Sequence, residues 1–218
     1  MIKHTSLADQ VFEKLESDIL SGKYARGTIM TEGMISDDLQ VSRTPVREAL
    51  QRLEQEHLVR SVSKGVEILS LTIEDALIIY SFRERIEGLA AAACARNITA
   101  EQIDELEELL DLQTFYNNKG DTEKVKTYDS LFHRKLYEFA GSPVYPDILS
   151  PLHNKIQKFR KSAISTRSNA SNSCAEHREI LESIKSGDEN KAFDAMSEHI
   201  RKARIRLENS YAAEDESK

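Results

Sequence analysis

The chain has 218 residues, enough for two modest domains each with its own core, and 39% hydrophobic with 31% charged residues suits a soluble, helix-rich protein. No stretch approaches the roughly 20 apolar residues needed to span a bilayer, and no apolar run of signal-peptide length opens the chain, so a cytoplasmic location without a membrane partner is expected. The formal net charge of −7 would argue against nucleic acid if averaged over the chain, but the local field decides: from Val41 to Gly65 the cations Arg43, Arg47, Arg52, Arg60 and Lys64 face only Glu48, Glu54 and Glu56.

Ser6 or Leu7 opens a helix in which Ala8, Val11, Phe12, Leu15, Ile19 and Leu20 recur at helical spacing, and Gly22 ends it. A second helix carries Met34, Ile35 and Leu39 on one face. The chain turns at Gln40-Val41, and the Ser42 hydroxyl can cap a third helix. There Val46, Ala49, Leu50 and Leu53 form the buried stripe, which leaves Arg43, Thr44, Arg47 and Gln51 on the outer face. The first turn is where a recognition helix presents base-reading side chains. Arginine forks suit a guanine edge, and the helix N-terminus favours a phosphate. Short β-prone runs, Val59–Val62 and Val66–Ile68, then flank a Ser63-Lys64-Gly65 turn.

The run Val41-Ser42-Arg43-Thr44-Pro45-Val46-Arg47-Glu48-Ala49-Leu50, with Gly22-Lys23-Tyr24-Ala25-Arg26-Gly27 before it and Leu58-Val59 and the hairpin after it, resembles the winged helix-turn-helix of the GntR family of bacterial transcription regulators. The resemblance implies that the hairpin is the wing, that Lys64 and Gly65 lie at the minor groove, and that Ser42, Arg43, Thr44 and Arg47 meet operator DNA. Without it the stretch reads as an amphipathic helix pair with scattered surface arginines. Gly33 stands where several relatives place a DNA-touching arginine, so that contact is expected to be missing. His57 stands where glycine is usual; histidine tolerates the left-handed conformation better than most.

From Thr72 onward only helical patterns appear. The expected division is residues 1–70 as a winged helix-turn-helix domain, 71–210 as an all-α helical bundle, and 211–218 as a disordered acidic tail. Thr72 and Asp75 suit a capping box for a helix through Tyr80, Ile86 and Leu89 to about Arg96. Thr99 starts the next, with Ile103, Leu106, Leu109 and Leu110 as its stripe, broken at Asn117-Asn118-Lys119-Gly120. A third runs from about Asp121 to Ala140. Pro143 and Pro146 mark the entry to a fourth that continues to about Thr166, followed by a polar loop from Ser165 to Ser173. A fifth covers about Ser173 to Ser186, and Asp188 caps a sixth that reaches about Ser210. Cys94 and Cys174 lie in different helices and read as reduced thiols.

Asp129 and His133 are four apart, so they project from one helix face. His177 and His199 belong to the last two helices, whose short connection at Gly187 makes them run antiparallel. One carboxylate and three imidazoles suit zinc, nickel or manganese, although spacing alone favours unrelated histidines, each satisfied by a local hydrogen bond or exposed. The segments Asp129-Ser130-Leu131-Phe132-His133, Glu176-His177-Arg178-Glu179-Ile180 and Glu198-His199-Ile200 resemble the metal motif of the FadR-type (FCD) branch of GntR regulators. The resemblance implies that Asp129, His133, His177 and His199 hold a divalent metal. It also implies that Arg83, within Tyr80-Ser81-Phe82-Arg83-Glu84-Arg85-Ile86-Glu87, holds a small carboxylate effector beside it. Arg83 could instead pair with Glu87 at the surface. Arg160 could line the same cavity or be solvated, and Cys174 could approach the metal or be a buried structural thiol. Six helices after the hairpin resemble the shorter VanR-like subgroup.

The function implied is a homodimeric transcription regulator, most often a repressor in this family, whose grip on a palindromic operator changes when a small organic acid binds. Two alternatives remain at this stage: a regulator whose signal is the metal itself, and a metalloenzyme, for which the cluster lacks an evident partner acid or base in a recognisable motif.

Overall fold

The structure, a computed structural model, describes residues 6–69, 71–156, 159 and 167–215. The chain divides into two compact units, Met1–Thr72 and Ile73–Lys218.

In the first unit α1 (Leu7–Leu20), β1 (Ile29–Met30), α2 (Glu32–Leu39), α3 (Arg43–Gln55), β2 (Val59–Val62) and β3 (Gly65–Ile68) follow in order. A capping box starts α1: Ser6 Oγ accepts from the Asp9 amide at 3.1 Å, and Asp9 accepts from the Ser6 amide at 3.0 Å. Val11, Leu15 and Ile19 of α1 join Val46, Ala49 and Leu53 of α3 in one core with Ile35, Leu58 and Ile68. Met34, expected on the buried face of α2, is 56% exposed. The helix starts at Glu32 in a phase that turns Ile35 and Ser36 inward, and Ser36 Oγ donates to the Val41 carbonyl at 2.9 Å. Gln40 ends α2 in the left-handed region, φ 54°. Ser42 occupies the N-cap of α3, but its hydroxyl makes no capping bond, contrary to expectation. His57 takes φ 57°, the conformation its glycine-like position requires.

The hairpin pairs β2 with β3, Arg60 opposite Glu67, and β1 adds a third antiparallel strand in the order β1-β3-β2. Two residues are too short to show an alternating pattern, which is why the sequence did not reveal β1.

The second unit contains α4 (Ile73–Asn97), α5 (Ala100–Lys119), α6 (Thr122–Phe139), α7 (Val144–Lys155), α8 (Arg167–Lys185) and α9 (Glu189–Asp215). The α9 helix lies along α4, α8 packs on α9 and α5, and α6 sits against α5, α4 and α7. Close approach of α4 and α9 depends on Gly88, where a Cβ would stand 2.5 Å from Ser197 Oγ and 2.8 Å from the Phe193 ring. Ser197 Oγ instead donates to the Glu84 carbonyl at 3.0 Å.

Several boundaries differ from expectation. The α5 helix continues through Asn117 and Asn118 to Lys119 and stops at Gly120 in the left-handed region. The α7 helix ends at Lys155 with Ile156 as its C-cap, well short of Thr166; Arg160 and Thr166 lie outside the described residues. The segment from Arg167 to Ser173, expected as loop, is the first two turns of α8. Its serines and asparagines have weak helix propensity, but Ser173, Cys174, Glu176 and His177 are buried against the bundle, and that packing outweighs propensity. Likewise α9 continues through the acidic segment to Asp215. Both cysteines are buried and free; Cys94 donates to the Leu136 carbonyl at 3.2 Å, and burial pushes its thiol up to about 12 and that of Cys174 to about 11. Among the described residues no helix is long and apolar enough to cross a membrane.

Candidate functional site

On the first unit, burial of Val46, Ala49, Leu50 and Leu53 leaves Ser42, Arg43, Thr44, Arg47 and Gln51 exposed on one side of α3. Arg47 is not loose. Its Nε donates to Glu32 Oε1 and its Nη2 to Glu32 Oε2, both at 2.8 Å, so the first residue of α2 grips it from the side. Arg43 lies over Gly33, its Nη2 3.7 Å from where a Cβ at that glycine would stand. Arg52 donates to Asp9 at 2.6 Å and sits 4.0 Å over the Phe12 ring, and Arg60 reaches across the hairpin to Glu67 at 2.5 Å. Among the described residues Arg43 and Lys64 make no direct ion pair.

Glu54 near the end of α3 accepts from the Ser61 amide at 2.7 Å and the Ser61 hydroxyl at 2.9 Å, which ties the wing to the exposed helix. Between them is a cleft of about 320 Å³, flanked by Arg47, Gln51 and Glu54 on one side and Ser61, Val62 and Gly65 on the other. Lys64 is exposed at the hairpin tip. Gly65 has a structural reason to be glycine: at φ 135°, a Cβ there would stand 2.2 Å from the Met30 carbonyl oxygen of β1.

The second unit has an unusual interior. Ten of the twelve buried polar or charged residues described fall within it, and they form a network rather than scattered pairs. His133 of α6, His177 of α8 and His199 of α9 each bring one ring nitrogen within 4.8 Å of the other two. Their opposite ring nitrogens all have acceptors. His133 Nδ1 meets Glu87 Oε2 at 2.7 Å, His177 Nδ1 meets Gln113 Oε1 at 2.9 Å, and His199 Nδ1 meets Glu176 Oε2 at 2.8 Å. An ionised carboxylate, behind His133 and His199, and an amide oxygen, behind His177, only accept, so Nδ1 carries the proton and, in the neutral ring, Nε2 turns a bare lone pair to the centre. His177 Nε2 and His199 Nε2 stand 3.3 Å apart.

Burial pushes His199 down to about 4, only partly opposed by Glu176, so the ring is neutral near pH 7. Burial would push Glu176 up, but hydrogen bonds from His199 and Arg206 outweigh it and hold the carboxyl at about 2. In two neutral rings protonated at Nδ1 these lone pairs repel at 3.3 Å unless a cation lies between them, and such a donor set fits a divalent ion. Asp129 is adjacent, with Oδ1 3.7 Å from His177 Nε2 and accepting from Ser173 Oγ at 3.1 Å. Cys174 is not part of the cluster.

Arg83 is buried, 2% exposed, in an ion pair with Glu87 at 2.5 Å, so the pairing with Glu87 exists but not at the surface. Its Nη2 is 3.4 Å from His153 Nδ1, which is also 3.4 Å from the Tyr137 hydroxyl. The Glu87 carboxylate thus bridges Arg83 and His133. Burial alone would raise its pKa, but Arg83 and His133 hold it well below the usual carboxylate range.

Gln113, His153 and Ser173 were not legible as site residues, because nothing in local spacing shows which face of α5, α7 or α8 meets the histidines. Glu176 and Glu87 did leave a trace, one next to His177 and the other a turn beyond Arg83.

A family model described as "FCD domain" matches residues 78–202, and one described as "Bacterial regulatory proteins, gntR family" matches residues 7–66. The chain is 28% identical over 194 residues to the HTH-type transcriptional regulator YdhC of Bacillus subtilis, covering 88% of this chain and 84% of that protein. It is 27% identical over 135 residues to the gluconate operon transcriptional repressor of Bacillus licheniformis, covering 62% and 56%. The solved structure of Escherichia coli McbR/YncC superimposes with a TM-score of 0.79 at 22% identity, covering 94% of this chain and 99% of that one, a likeness of fold. The winged helix-turn-helix and the histidine-centred helical bundle are thus the two parts of a DNA-binding transcription regulator, not an enzyme, and the chain belongs to the GntR family with an FCD domain.

Proposed function

We propose that this regulator is a homodimeric repressor that reads a palindromic operator through α3 and the wing and responds to a small organic acid bound beside a metal in its helical unit. Ser42, Arg43, Thr44 and Arg47 supply the reading face, with Lys64 and Gly65 of the wing at the neighbouring groove. His133, His177 and His199, with Asp129 alongside, hold a divalent ion such as zinc, nickel or manganese. When bound, that ion supplies a Lewis-acid centre for an acid's carboxylate. Glu87, Gln113 and Glu176 fix the imidazole orientations, and Arg83 contributes the second positive charge of a two-point clamp. The acid controls DNA binding by preferring one conformation of the helical unit. The observation that carries the effector reading is the convergence of three imidazoles whose Nδ1 atoms are all engaged. Similarity to a repressor of a gluconate operon supports repression and places sugar acids among the acids to try.

The test is metal content of the purified protein, followed by thermal melting against gluconate, other sugar acids and dicarboxylates, with and without chelator. Metal that is lost in His177→Ala, and an acid whose stabilisation vanishes on chelation, are expected. A metal-free protein would overturn the site. For the reading face, Arg43→Ala should lower operator affinity roughly ten- to a hundredfold and relax preference at one base pair; unchanged preference would remove Arg43 from it.

One observation favours a second reading, in which the metal itself is the signal: the Arg83 guanidinium is already engaged by Glu87 and buried. Operator affinity that tracks free metal and ignores every acid would select that version.

A further inference from the structure

A carboxylate on a surface that faces phosphates needs a reason, since it repels the DNA backbone. Glu32 is such a group. It opens α2, lines the cleft between α3 and the wing, and places both oxygens 2.8 Å from the side edge, Nε and Nη2, of Arg47 fifteen residues away. A guanidinium has five N–H groups in a fixed plane. Side-on engagement consumes the Nε hydrogen and one Nη2 hydrogen. It leaves the end-on pair, one hydrogen each from Nη1 and Nη2, parallel and pointing away from Glu32, which is the fork that matches O6 and N7 of guanine. The Arg47 side chain is 62% exposed and would otherwise sample many rotamers. Arg43, over Gly33, adds its field to that of Arg47 at the same carboxylate.

We infer that Glu32 is a specificity-determining positioning residue: it holds Arg47 side-on so that the arginine's end-on fork reads one guanine in each half-site. The inference rests on the assignment of α3 as the reading helix. The competing explanations for Glu32 are stabilisation of the α2 N-terminus and simple competition with DNA for Arg47.

The test uses the full chain and an operator duplex selected from a random pool by the wild-type protein. Binding is titrated on that duplex, on its single-base-pair variants and on an unrelated duplex, for Glu32→Ala, Glu32→Gln, Arg47→Ala and the Glu32→Ala/Arg47→Ala pair. Arg47→Ala should flatten preference at one base pair per half-site. Glu32→Ala should flatten preference at the same base pair by about tenfold, while affinity for the unrelated duplex holds or rises because an anion has gone. Glu32→Gln should fall between, and Glu32→Ala should add nothing once Arg47 is alanine. If Arg47→Ala loses the preference but Glu32→Ala keeps it, or if Glu32→Ala tightens all duplexes equally, the positioning role is overturned and the reading helix stands. If Arg47→Ala itself leaves every preference intact, the assignment of Arg47 as a reader fails and the inference with it.

Discussion

At Gly65 the main chain turns through φ 135° with the Met30 carbonyl oxygen 2.2 Å from where a Cβ would stand. Any side chain there must displace β1, because the obstructing atom is backbone. Gly65→Ala should therefore cost about 2 kcal/mol or more, read as a lowered Tm, and weaken operator binding only through loss of wing order. Lys64→Ala, one residue away, should leave Tm in place and reduce the salt dependence of DNA binding by about one phosphate contact. A Gly65→Ala protein with wild-type Tm would mean that the β1 contact is not restrictive. These outcomes would give adjacent residues of one turn separable roles, one in shape and one in charge. Residue identity predicted some of this well: His57, where glycine is usual, takes φ 57°. It could not predict that the hydroxyl of Ser42 makes no capping bond, since only the geometry at the end of the Gln40-Val41 turn decides that.

The α4 helix organises the second unit. On successive turns it presents Arg83 and Glu87 to the polar interior, and Gly88 lets α9 approach. Gly88→Val should open this helix pair and cost roughly 1–3 kcal/mol in denaturant unfolding, because the Phe193 ring and Ser197 must both move. It should also disturb His199, which α9 carries; unchanged stability would show that the pair has slack. Helical spacing identified α4, α5, α6 and α9 from their stripes and caps. It misplaced the end of α7 and the start of α8, a helix anchored by the buried Ser173, Glu176 and His177, a circumstance that local propensity does not register.

For the molecule, the buried network makes stability depend on acidity. His199 is held at about 4, against an ordinary 6.5, so between those values the unfolded chain carries a proton that the folded chain lacks. Unfolding free energy must then fall as pH falls from about 6.5 to about 4, by roughly 3 kcal/mol for this group. Burial drives His153 in the same direction. Glu176, at about 2 against 4.5, extends the decline below pH 4.5. Urea unfolding of the chelator-treated protein across pH 8 to 4 should show a plateau above about 7 and a descent below it. A flat profile would mean that His199 and His153 are not buried as neutral rings.

The order of helices, the exposed face of α3 and the wing followed from the sequence, because periodicity, caps and short connections are local properties, whereas Asp129, His133, His177 and His199 stand out as a set only through their resemblance to a family motif. Only the tertiary structure decided that Glu32 grips Arg47, that Gly65 is held by β1, and that Glu87, Gln113 and Glu176 stand behind three histidines. Those relations join residues far apart in the chain, and no local preference encodes which helix face will meet another.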